Sequence, residues 1–219
     1  MTVRTKPHRA VARADALTWL AEHPAAPGTS VVTSLPDFSE LRELPFEAWQ
    51  RWFVSAANAV MRWVPASGVA IFFQTDVRRR DVWIDKSHLV HRAAEAAGAE
   101  LLWHKIVCRS APGTVTHGKA GYSHLLCFAR GGRFPSVSGS PDVLPDAGMK
   151  PAEKSMGVNA CLLACRFATE SAGATTIVDP FCGHGTVLAV ANALGLDALG
   201  VDKSARACSK ARQLAVTLG

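Results

Sequence analysis

Residues 175–204 read TTIVDPFCGHGTVLAVANALGLDALGVDKS. A short apolar run ends in Asp179, a turn carries Gly183 and Gly185, an apolar stretch follows from Thr186, and a second short run ends in Asp202. The order is strand, glycine loop, helix, strand, acid. Without a Cβ, glycine lets a backbone approach a ligand closely. Amide groups at the start of the helix point into the same space, where a dinucleotide enzyme would hold a pyrophosphate. The spacing is not GxGxxG, because Leu188 stands where the third glycine would be. An acid closing the second strand is placed to accept hydrogen bonds from ribose hydroxyls. Such a unit ordinarily opens a nucleotide-binding domain, yet here it closes the sequence.

The rest of the chain alternates in the same way. Apolar runs suited to buried strands occur in RAVARADAL, GTSVVTSLPD, GVAIFFQT, LLWHKIVCR and YSHLLCFARG. Between them lie helical patterns, among them PFEAWQRWFVSAANAVMRWV with Pro45 near its first turn, and SHLVHRAAEAAGAE with Ser87 as candidate N-cap. Alternation of this kind predicts an α/β fold, a mostly parallel sheet with helices on both faces. The last two of those strands are joined by SAPGTVTHGKAG, with no helix between, so they should pair antiparallel. GGRFPSVSGSPDVLPDAGMKP is rich in Gly, Pro and Ser and reads as a surface linker.

The 219 residues suit one domain, and a net charge of +6 favours an anionic partner such as nucleic acid or a phosphorylated substrate. A solvated basic surface without a partner explains the charge equally well. No CxxC pair occurs among the six cysteines. Reduced thiols and a cytoplasmic setting are therefore expected, with Cys161 and Cys165 as core residues on a helix. No apolar run is long enough to span a bilayer. His104, His117 and His124 lack metal-ligand spacing, so no metal is expected.

The segment DPFCGHGT resembles the S-adenosylmethionine-binding motif of class I methyltransferases. More narrowly, it resembles the DPFCGSGT form of enzymes that methylate exocyclic amines of bases in RNA and DNA; it departs at His184. The resemblance implies S-adenosyl-L-methionine as cofactor. Asp179, Pro180, Phe181, Gly183, Gly185 and Thr186 would lie around its methionine portion, and Asp202 would bind the ribose. The family's target motif is an apolar strand ending in [D/N/S]-P-P-[Y/F/W]. Ser34-Leu35-Pro36-Asp37 matches it at Ser34 and Pro36 and departs at Leu35 and Asp37. By the resemblance, Ser34 Oγ and the Leu35 carbonyl would accept the amine hydrogens. The acceptor base normally stacks on the missing aromatic; Phe38 could replace it, while Asp37 either contacts the target or simply caps a turn. Asp15, closing an earlier strand, would reach the adenine amine. PAEKSMGV resembles the P-T-Q-K-P element before the cofactor strand, keeping Pro151 and Lys154, with Ser155 in place of proline; the resemblance makes Lys154 a further cofactor-binding candidate.

The family's ordinary order puts the cofactor strands first; here they come last. The resemblance therefore implies a circularly permuted Rossmann-like class I methyltransferase domain over 1–219. Residues 1–130 would form the target-side half, 131–150 the linker and 151–219 the cofactor-binding half. The seven strands would run 3-2-1-4-5-7-6, with strand 7 antiparallel. Arg78, Arg79, Arg80, Lys105, Arg109 and Lys119 are candidate nucleic-acid contacts, because the first three follow a strand whose carboxyl end shares the ligand-binding edge. The expected activity is methylation of an RNA base, in tRNA or rRNA, with a homodimer or partner subunit aiding recognition. The alternatives are a DNA or small-molecule methyltransferase, or a silent scaffold that binds RNA. DNA is the less favoured nucleic acid at this point, because duplex enzymes usually carry a separate recognition domain.

Overall fold

The computed structural model describes residues 6–132, 134–135, 139–152 and 155–218. In chain order the elements begin with β1 (Arg9–Arg13), α1 (Ala16–Glu22), β2 (Thr29–Thr33), α2 (Phe46–Trp63) and β3 (Ala70–Gln74). There follow β4 (Val77–Arg79), β5 (Val82–Ile84), α3 (Lys86–Ala97), β6 (Glu100–Cys108), β7 (Tyr122–Ala129) and β8 (Val143–Leu144). The chain closes with α4 (Val158–Glu170), β9 (Thr176–Asp179), α5 (Thr186–Ala193), β10 (Asp197–Asp202) and α6 (Ala205–Gln213).

Eight strands form one sheet in the order β1-β10-β9-β2-β3-β7-β6-β8. Strand for strand, the first seven follow the expected 3-2-1-4-5-7-6. β7 runs antiparallel to both neighbours, β3 and β6. The head and tail of the chain meet inside this sheet, where β1 pairs with β10 and β2 with β9, both parallel. Side chains close the seam. Arg9 donates to Asn192 Oδ1 at 2.6 Å and to the carbonyls of Ala211 and Leu214, and Arg212 donates to the Val11 carbonyl at 2.7 Å.

A core lies on each face. One is built on α4 and α5, with Cys161 and Cys165 fully buried as expected; the other on α2 and α3, around Trp49, Phe53 and Phe72. Both cores flank the buried runs of β2 and β3, which is why those strands lack polar alternation. No helix among the described residues is long and apolar enough to cross a membrane.

Three local expectations are corrected. The segment expected as a surface linker contributes β8, which pairs with β6 and buries Leu144 and Ala147. The stretch after β3 forms a hairpin, β4 with β5, turning at Arg80 and Asp81 with φ of 47° and 63°. Helix α3 is capped by Asp85, whose carboxylate accepts the His88 amide at 2.9 Å; Ser87 only donates its hydroxyl to Asp85.

Candidate active site

The turn after β9 is held by the two acids of the 175–204 stretch. Asp179 is buried, and its Oδ1 accepts the Thr33 hydroxyl at 2.6 Å and the Phe181 amide at 3.1 Å. Burial pushes its carboxyl up to about 7, the Asp202 charge adding to the effect and the two hydrogen bonds opposing it. Asp202, closing β10, accepts the Gly183 amide at 3.0 Å and the Ser204 amide at 2.7 Å. The second strand's acid thus shapes the glycine turn before any ligand is considered.

The two glycines differ in role. Gly183 has φ of 50°, and a Cβ there would meet nothing within 4 Å, so this backbone faces open space. Gly185 has φ of 83°, and a Cβ there would lie 2.8 Å from Ala211 Cα on α6. Packing of α6 against this position requires a bare residue there, independently of any contact its backbone could make with a ligand. Gly185→Ala is expected to cost about 1–3 kcal/mol of stability by overpacking and left-handed strain, visible as a lowered denaturant midpoint. An unchanged midpoint would mean that α6 shifts freely.

Ser34, Leu35 and Pro36 line the same cleft as this turn, so the 34–36 and 183–185 segments share one rim. The cleft has a volume of about 640 Å³, within the range of small-molecule sites. Asp15, Pro180, Phe181, Thr186 and Asp202 also line it. Asp15 caps α1 through the Thr18 amide at 3.0 Å and pairs with Lys203 at 2.9 Å. Although burial works the other way, these bonds leave its carboxyl below the usual range. Thr186 Oγ1 is buried on the cleft wall without a hydrogen-bond partner among the described residues. An orphaned hydroxyl, an open glycine backbone and the carboxylates of Asp15, Asp179 and Asp202 form a donor and acceptor set ready for a polar ligand.

No protein-family model matches the chain, and no curated protein matches it. Solved structures do. A Thermus thermophilus protein carrying the name "Putative DNA Modification Methylase" is 22% identical, with TM-score 0.72, over 94% of this chain and 93% of its own. The same Thermus protein complexed with S-adenosyl-L-methionine gives a TM-score of 0.71 at 19% identity, with the same coverage. The PvuII DNA methyltransferase, cytosine-N4-specific, gives 0.74 at 15% identity over 98% of this chain and 89% of its own. The fold is the class I methyltransferase fold.

Within this methyltransferase fold the remaining candidates scatter. Asp37 does not line the cleft; its amide donates to the Glu40 carboxylate at 2.9 Å at the start of a 3-10 turn, Phe38–Glu40. Phe38 is turned into an aromatic cluster, 5.4 Å from the Phe46 ring and 6.0 Å from Trp49. Neither position supplies the missing ring to the cleft. Lys105 is buried, donating to the Ser140 and Pro141 carbonyls and pairing with Asp142 at 3.1 Å. It fastens the segment before β8 to β6 and is not presented to a ligand. Arg79 stacks over Phe46 at 4.3 Å, and Arg78 pairs with Asp81 at 3.0 Å. Arg80, Arg109 and Lys119 are exposed. Lys154 lies outside the described residues; its neighbours Ala152, Ser155 and Met156 line the cleft.

Two features escape a reading of the sequence. Trp52 of α2 lines the cleft, its ring 6.0 Å from Phe181 at an angle of 82°. Its place in the apolar stripe of a long helix conceals it. His124 donates to or accepts from His104 at 2.9 Å and contacts Asp76 at 3.1 Å, with Asp85 close by. Both ring nitrogens are thereby occupied, which fits a satisfied structural chain.

Proposed function

We propose that the chain is an S-adenosyl-L-methionine-dependent methyltransferase acting on a base of nucleic acid, DNA rather than RNA. The observation that carries this reading is the single cleft in which Gly183, Asp202 and Asp15 face Ser34–Pro36. The residues present fit the cofactor: Asp202 for ribose hydroxyls, Asp15 for the adenine amine, and Asp179, Phe181, Gly183 and Thr186 for the methionine portion. Bound there, the cofactor supplies an electrophilic methyl group on a sulfonium.

The chain's own residues would hold the acceptor in line. An exocyclic amine is a weak nucleophile because its lone pair is delocalised into the ring. Ser34 Oγ and the Leu35 carbonyl have no hydrogen-bond partner among the described residues, so both remain able to accept amine hydrogens. Pro36 fixes the turn, its carbonyl accepting the Trp49 indole N–H at 3.3 Å. Exposed Arg80, Arg109 and Lys119 would position a phosphate backbone without reading sequence.

The expectation of an RNA substrate finds no support. Proteins named for DNA methylation share the fold, and the PvuII enzyme is matched over 89% of its own chain. That likeness favours DNA over RNA as the substrate. The interrupted order of the fold, with its first strands at the tail, supports a circularly permuted arrangement over 1–219.

Calorimetric titration with S-adenosylhomocysteine tests the cofactor reading, and absence of binding would reject it. Labelled cofactor offered with DNA, tRNA and rRNA tests the substrate, with label expected in DNA. Label in RNA alone would restore the RNA reading, and binding without any transfer would favour the silent scaffold, for which the displaced Asp37 is the motive. Ser34→Ala should lower kcat about tenfold or more with S-adenosylhomocysteine affinity unchanged; equal kcat would remove Ser34 from the mechanism.

A further inference from the structure

The target motif lacks its ring, and the fold places one beside it from elsewhere. Asp37 is committed to the 3-10 turn and Phe38 to the cluster with Phe46, Trp49 and Arg79. Trp49 and Trp52 stand one helical turn apart on α2 and so share a face. Trp49 is fully buried and ties the helix to the Pro36 carbonyl. Trp52 is only half-buried and lines the cleft together with Ser34 and Pro36. The indole N–H groups of Trp49 and Trp63 on the same helix donate to the Pro36 and His23 carbonyls. No such bond anchors the Trp52 indole among the described residues; one side of the ring packs on the α2–α3 core and the exposed remainder lines the cleft. That ring stands nearly perpendicular to the ring of Phe181, so two aromatic planes at about right angles line the cleft.

We infer that Trp52 is the stacking platform for the planar acceptor base, taking the place of the aromatic that position 37 lacks. The inference rests on the proposed methyltransferase reading. It names the acceptor class as a flat heteroaromatic ring held by its face, with the exocyclic amine directed to Ser34 Oγ and the Leu35 carbonyl.

The test compares Trp52→Ala, Trp52→Leu and Trp52→Phe in the full chain, with labelled methyl transfer to the DNA that the wild type modifies. Loss of one stacked base corresponds to about a 10- to 100-fold fall in kcat/KM. That fall is expected for alanine and leucine alike, carried mainly in the KM for DNA. Phenylalanine, which keeps a ring, should return kcat/KM to within about fivefold of wild type. Affinity for S-adenosylhomocysteine, read by calorimetry, should be unchanged in all three. Leucine restoring activity as well as phenylalanine would show that Trp52 only fills space, and would overturn the inference. A matching loss of S-adenosylhomocysteine affinity would assign Trp52 to the cofactor and overturn it too. If the wild type binds the cofactor analogue but methylates no nucleic acid, the underlying reading falls and takes this inference with it. An active wild type with an unimpaired alanine variant sinks the inference alone.

Discussion

Asp202→Ala is expected to weaken S-adenosylhomocysteine binding by roughly two orders of magnitude, about 3 kcal/mol. Two effects add. An ionised carboxylate has about four lone-pair sites. The Gly183 and Ser204 amides fill one on each oxygen, at 3.0 and 2.7 Å. The remaining sites belong to a side chain that lines the cleft, where two ribose hydroxyls would each gain a charge-assisted bond. Alanine removes those bonds and also frees the glycine turn, so that ordering it opposes binding. Asp202→Asn keeps one acceptor oxygen and loses the charge, and should fall between. Calorimetry on both variants is the check. If alanine leaves the affinity within twofold, the acid serves only the turn and the ribose assignment fails.

The same residue shows what the sequence makes readable. A strand that ends in an acid, a glycine turn and a helix are each short-range patterns, so β9, α5 and β10 are legible in place. Pairing head with tail requires only that β1 and β2 be strands of matching length, and Arg9 then supplies bonds across the seam that no local pattern records. The β4–β5 hairpin is hidden because its turn residues, Arg80 and Asp81, adopt positive φ without the glycine or asparagine that usually marks such a turn. β8 is hidden by its two-residue length inside a Pro- and Gly-rich segment. The role of Asp37 is half visible, since Asp-x-x-Glu spacing to Glu40 is a capping signature. Trp52 is not visible at all: helical period puts Trp49, Trp52 and Phe53 in one stripe, and only the tertiary position of α2 decides which ring meets the cleft. Gly185 illustrates the converse: its place in the glycine turn is legible in the sequence, while the packing of α6 against it is not.

The largest pH effect is expected at Asp179. Its carboxyl is raised from 3.8 to about 7, chiefly by burial. Between those values the folded protein holds a proton that the unfolded chain has released, so stability falls as pH rises through that window. Above it, the fold contains an ionised, buried carboxylate. Asp179→Asn keeps an oxygen for the Thr33 hydroxyl and the Phe181 amide, which both bond Oδ1, and removes the titration. The variant should therefore be more stable than wild type at pH 8 by roughly 2–4 kcal/mol, with the gain vanishing near pH 4. Denaturant melts across pH 4–8 measure this; parallel curves for the two proteins would place the titration elsewhere. Ligand binding should show the opposite trend. A cationic amine brought beside Asp179 favours the ionised form, so below pH 7 binding must expel a proton. Wild-type affinity for S-adenosylhomocysteine should then rise by up to about tenfold per pH unit from 5 to 7, while the asparagine variant binds weakly and without that slope. Stability and affinity moving in opposite directions with pH is the signature of a carboxylate held at a cost until a cation arrives. A flat wild-type affinity would mean that the ligand's amine sits away from Asp179.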